Sequence, residues 1–191
     1  MSVREILILG LAAGGAALSA PGGLTPELGH AARVKIERIE QSKMKPGKKV
    51  SWSEEELNSL LKFEYGPRLP PGVREPALRL YDQRVEVHAL VDIAKLAGGS
   101  GGSLGLWAML FGGEQPLKAV CRPISGNGRA KIEVVSVELG GRVISGSILS
   151  WLLAATIPLP GSDGVAGNVV SLPDTIRDLR MEAGRATIVT K

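Results

Sequence analysis

The chain has one cysteine, Cys121, and two histidines, His30 and His88, among 191 residues. A lone cysteine excludes an intrachain disulfide, so stability must come from a packed core. One cysteine and two scattered histidines do not build a zinc site. His88 and Asp92 share a strand's polar face but stand about 13 Å apart by strand rise. An excess of one charge is also missing. Lys and Arg number 23 against 19 Asp and Glu, a net charge of +4, which does not mark a nucleic-acid partner. The glycines fit neither G-x-G-x-x-G nor G-x-x-x-x-G-K-[ST], so no phosphate cradle is indicated. Gly101–Gly105 (GGSLG) matches the G-x-S-x-G nucleophile elbow. The elbow needs its histidine after the serine, and both histidines precede Ser103. The composition around it, from Gly98 to Ser103, is that of a linker. No catalytic residue, metal or cofactor is indicated, and the chain reads as non-enzymatic.

Long apolar runs are absent except at the start. Arg4 precedes an apolar stretch from Ile6 to Leu18, and Ser19-Ala20 follow before Pro21. That is the layout of an export signal. Cleavage after Ser19, with Ala17 two residues before it, fits the small-residue rule better than cleavage after Ala20. Three readings are open for residues 1–20: a cleaved signal peptide, a retained membrane anchor, or an ordinary buried element. The first two place the chain outside the cytoplasm, either periplasmic or anchored to the outer face of the inner membrane. No cysteine follows the run, so anchoring as a lipoprotein is not expected. What remains is about 170 residues, the size of one domain.

Residues 21–50 read as a lead-in with one strand and a basic linker. The linker carries Lys43, Lys45, Lys48 and Lys49 around Pro46-Gly47, which argue for a loop. It is either a patch that meets anionic lipid headgroups or a solvated connector.

From residue 51 to 191 the pattern is that of a single α+β domain. Ser53-Glu54-Glu55-Glu56 is a capping box, with Trp52 and Leu57 placed as a hydrophobic staple. Leu57, Leu60 and Leu61 form the buried stripe, and Gly66-Pro67 is expected to stop the helix. Strands are expected over Ala77–Tyr81 and Arg84–Ile93, the second alternating with period two. A strand over Leu117–Arg122 leads through Gly126-Asn127-Gly128, a hairpin turn, into a strand over Arg129–Leu139. The apolar phase shifts after Val134, because Val135 and Val137 are both apolar; a bulge or two-sided burial explains that. Arg177–Glu182, Ala183-Gly184 and Arg185–Thr190 make a closing hairpin. Such hairpins imply antiparallel pairing.

Two short segments are apolar on nearly every side: Leu106–Phe111, with Trp107, Met109, Leu110 and Phe111, and Ile148–Ala155, with Trp151, Leu152 and Leu153. Each is a helix candidate that is either buried in the core or lines a cavity or membrane contact. On the second reading these seven residues hold an apolar ligand.

The order of an apolar N-terminal segment, Val50–Leu61 (VSWSEEELNSLL), long antiparallel strands, an apolar helix after Val137–Gly141 and Leu172-Pro173 before a final hairpin resembles the YpmS-like bacterial envelope proteins. It is also similar to lipid-binding envelope domains in which a curved sheet wraps a helix. The resemblance implies place and fold: a curved antiparallel sheet with two or three short helices on one face, after a signal or anchor. The expected function is an exported envelope protein that binds an apolar ligand, such as lipid, or rests on the membrane. The alternative is a structural or protein-binding envelope domain with a solid core and no ligand.

Overall fold

A computed structural model describes residues 23–41, 44–69, 71–96, 112–126, 129–144, 169–171 and 176–191. The strand expected between residues 21 and 50 is replaced by a 15-residue helix, α1 (Pro26–Glu40). Its start follows helix rules. Thr25 accepts the Leu28 N–H, and Pro26 occupies the first turn, where a missing N–H costs nothing. Ala32, Ile36 and Ile39 recur at helical spacing and are fully buried.

Strand β1 (Lys49–Ser53) leads into α2 (Glu54–Ser59) through the expected capping box. The Ser53 hydroxyl accepts the Glu56 N–H at 3.2 Å, and Glu56 accepts the Ser53 N–H at 3.0 Å. Gly66-Pro67 does not stop the helical path. The chain widens to a π-helix over Leu60–Tyr65 and narrows to a 3-10 turn over Gly66–Arg68, whose first turn tolerates Pro67. Three contacts hold α1 to this corner. Trp52 donates its indole N–H to the Ala32 carbonyl at 3.2 Å. Lys35 bridges both Glu56 carboxylate oxygens and the Ser51 carbonyl. Gly29 crosses so close to Ser59 that a Cβ there would lie 2.8 Å from its carbonyl oxygen.

The remaining elements are β2 (Val73–Tyr81), β3 (Arg84–Asp92), the one-turn helix α3 (Ile93–Leu96), β4 (Glu114–Gly126), β5 (Arg129–Leu139), β6 (Arg142–Ile144), β7 (Val169–Ser171), β8 (Ile176–Glu182) and β9 (Arg185–Thr190). All pairing among them is antiparallel, and the class is α+β as expected. The strands form two sheets where one was expected. The larger runs β2-β3-β4-β5-β6, with β7 beside the start of β5; the smaller runs β1-β9-β8. The phase shift in β5 is a bulge. Cys121 pairs with Val134 and Val120 with Ser136, which leaves Val135 as the extra residue. Val137 is thereby returned to the core while Val135 faces out.

Leu57, Leu60, Ile36, Trp52, Val87, Ile176 and Ile188 belong to one core cluster beneath the helices, shared by both sheets. A second cluster, with Ala89, Leu117, Ala119 and Val137, continues along the same face of the larger sheet. The two sheets are joined at their hairpin tips. Gly184 donates to the Leu80 carbonyl at 3.0 Å, Gln83 to the Met181 carbonyl at 3.1 Å, and Glu54 to the Gly184 carbonyl at 3.0 Å. Asp82 accepts the Ala183 N–H at 3.0 Å.

Candidate functional site

Of the residues singled out from sequence, Trp107, Met109, Leu110, Phe111, Trp151, Leu152, Leu153 and Lys43 lie outside the described residues, as do the Gly101–Gly105 motif and Leu172-Pro173. Lys45, Lys48 and Lys49 are described and exposed. Lys49 is the first residue of β1, so the loop is shorter than expected. It is also fixed. Thr190, at the end of β9, accepts the Gly47 N–H and donates its own N–H to the Lys48 carbonyl, both at 3.0 Å. Its hydroxyl donates to the Lys45 carbonyl at 2.8 Å and accepts the Lys48 N–H at 3.0 Å. Gly47 has φ 75°, which glycine adopts without strain. Among the described residues, no carboxylate pairs with the three lysine side chains.

The outer face of the larger sheet carries the second group. Alternation places Arg84, Glu86 and His88 of β3 on it, beside Lys118, Val120 and Arg122 of β4. The Glu86 carboxylate is 12% exposed and lies 3.6 Å from Arg84, 3.6 Å from His88 Nε2 and 3.8 Å from Lys118. His88 is buried, and neither ring nitrogen has a hydrogen-bond partner. Burial holds its pKa below the ordinary histidine value. Glu86 opposes that shift, and Lys118 and Arg79 reinforce it. The imidazole is therefore neutral at pH 7. Its expected exposure on a polar face is not what the structure shows.

Asp92 is committed elsewhere. It caps α3 through the Lys95 N–H at 3.2 Å and pairs with the Lys95 ammonium at 3.1 Å, and these hydrogen bonds hold its pKa low. No group of three metal-ligating side chains occurs among the described residues. Cys121 is buried, and burial pushes its thiol up to about 11, which leaves it protonated and unreactive at neutral pH.

Next to Arg84 the outer face forms a hollow of about 640 Å³ floored by Val120 and Val135, with Tyr81, Arg84 and Arg122 around it. Arg122 also borders a groove of about 560 Å³ between β4 and β8. There Asp178 is buried enough to raise its pKa, but hydrogen bonds from Ser125 at 2.6 Å and Arg180 at 2.9 Å outweigh burial and hold it below the usual carboxylate range. Sequence reading passed over Arg84 and Arg122. The one signal that bore on the hollow was the phase break at Val134-Val135.

No helix among the described residues is long and apolar enough to cross a membrane. No family model, curated protein or solved structure matches the chain.

Proposed function

We propose that the protein is a non-catalytic, exported component of the bacterial cell envelope that rests on an anionic membrane surface through Lys45, Lys48 and Lys49. The observation that carries this reading is the fixed loop: Lys45, Lys48 and Lys49 are exposed and pair with no carboxylate among the described residues, and the backbone around them is bonded to Thr190 and, at Lys49, to β9. Each lysine near an anionic surface contributes about 1 kcal/mol. Three give about 3 kcal/mol, too little for stable attachment, so a second element is required. Residues 1–20 supply it where they are retained as an anchor, and the apolar segments 106–111 and 148–155 supply apolar contact with lipid. The resemblance to YpmS-like envelope proteins, and to lipid-binding envelope domains in which a curved sheet wraps a helix, supports the same place.

Sedimentation with phosphatidylcholine vesicles, with and without phosphatidylglycerol, tests the reading. Binding is expected to rise with the anionic fraction and to weaken with salt. Changing Lys45, Lys48 and Lys49 to Gln is expected to remove about a hundredfold of that affinity. Equal binding to neutral and anionic vesicles overturns it. Cell fractionation with N-terminal sequencing checks export; an intact Met1 on a soluble cytoplasmic product overturns that part.

The rival reading, a protein-binding envelope domain with a solid core, draws on the close packing of both described clusters. It expects no vesicle binding and no lipid in a solvent extract of the purified protein.

A further inference from the structure

We propose that the hollow on the outer face of the larger sheet binds an oxyanion carried on a short apolar group, gripped by Arg84 and Arg122. Val85 pairs with Cys121, so Arg84 and Arg122 follow as neighbours on adjacent strands. Like charges placed side by side on a sheet repel. Each has one carboxylate at the long end of ion-pair range: Arg84 lies 3.6 Å from Glu86, and Arg122 lies 3.5 Å from Glu133. Charge-assisted bonds from arginine to carboxylate are shorter, about 2.7–2.9 Å. The two side chains are 48% and 54% exposed, so guanidinium donors remain open to a ligand. Arg84 is held in place by the Tyr81 ring, 4.5 Å from its guanidinium carbon.

The floor supplies the apolar half. The bulge turns Val135 outward, where it is 51% exposed beside Val120. Bulges are used in this way to re-aim a side chain beside a site. The rim is rigid, because the Asp82–Gln83 turn is bonded to the Ala183–Gly184 turn. Gln83 has φ 55°, an uncommon conformation for a residue other than glycine, held by its bond to Met181. The one acid among the described residues of the rim, Asp82, is already accepting the Ala183 N–H. The volume of about 640 Å³ lies in the range of small-molecule sites.

The shared ligand chemistry is a phosphate or carboxylate on an alkyl chain, whether free or part of a lipid. This site is independent of the lysine loop, which lies at the other end of β9: Arg185 adjoins the turn beside the hollow and Thr190 adjoins the loop. The two proposals can therefore fail separately.

Calorimetric titration with hexyl phosphate, inorganic phosphate and hexanol tests the site on the full chain. Hexyl phosphate is expected to bind at least about tenfold more tightly than inorganic phosphate, and hexanol not measurably. Arg84→Gln and Arg122→Gln are each expected to weaken hexyl phosphate by about tenfold or more, as loss of charge-assisted bonds does. Val135→Thr is expected to bring hexyl phosphate close to inorganic phosphate. Arg180→Gln, outside the hollow, is the control and leaves binding unchanged. Thermal melts establish that each variant is folded; all four positions are solvent-accessible. The proposal is overturned if hexyl phosphate does not bind, if it binds no better than inorganic phosphate, or if folded arginine variants bind like the parent. Where binding is found, competition by phosphatidic acid vesicles assigns it to a lipid headgroup, and lack of competition assigns it to a free amphiphile.

Discussion

Asn58 pairs with the backbone of Leu78 as a neighbouring strand would: its Nδ2 donates to the Leu78 carbonyl at 2.9 Å and its Oδ1 accepts the Leu78 N–H at 2.7 Å. One turn earlier in the same helix, Glu54 accepts the Leu80 N–H at 2.7 Å. Four residues of helix rise about 6 Å, and two residues of strand about 6.6 Å. The two spacings match, so α2 covers the β2 edge of the larger sheet at Leu78 and Leu80. An open edge invites pairing with other chains.

Asn58→Ala is predicted to leave the Leu78 N–H and carbonyl without partners in a buried setting. Each unsatisfied group costs about 1–3 kcal/mol. A fall in urea midpoint equivalent to at least about 2 kcal/mol is expected. A loss within about 0.5 kcal/mol would show that water replaces the amide and that the edge is not sealed.

Gly29→Ala sets a methyl against the Ser59 carbonyl. In most helices this change is stabilising by up to about 1 kcal/mol, because alanine is the better helix former. Here it is predicted to destabilise, by about 1–3 kcal/mol, as overpacking does. Higher thermal stability in the variant would mean that α1 sits farther from α2 than described.

The buried, unpartnered imidazole of His88 makes stability depend on pH. Its folded pKa lies below the unfolded value, mainly through burial. On acidification the unfolded chain therefore takes up the proton first. The contribution is complete above the unfolded value of about 6.5 and is lost as pH falls through the folded pKa. His88→Phe, similar in shape, is predicted to flatten this part of the profile. Urea melts across that range on both proteins check it; parallel curves would remove His88 as the cause. The charged groups facing it are Glu86, Lys118 and Arg79.

Cys121 is predicted to resist a thiol reagent in the native protein at pH 8 and to react fully in denaturant, since burial raises its pKa to about 11. Labelling kinetics with and without urea check this. Rapid native labelling would mean that β4 opens readily where it pairs with β3 and β5.

Much of the local structure was legible because its causes lie within a few residues. Ser53 and Glu56 cap each other across three positions. The two-residue turns at Asp82-Gln83 and Ala183-Gly184 set their hairpins in register. The break at Val135 left a bulge and two-sided burial both open, and the pairing of β4 with β5 decided for the bulge. Helix α1, where one strand was expected between residues 21 and 50, is settled by the burial of Ala32, Ile36 and Ile39 and by the Trp52 indole on the Ala32 carbonyl, and Trp52 is twenty residues away.

By itself, then, the sequence determined caps, hairpins, strand phase and the antiparallel class, all properties of neighbours along the chain. The tertiary structure alone decided that the strands divide into two sheets, that Thr190 fixes the lysine loop, that Asn58 seals β2, and that Arg84 and Arg122 stand together. Each of these joins groups between 20 and 145 positions apart. Local periodicity and turn chemistry do not specify such pairings; the shared burial of distant apolar faces does.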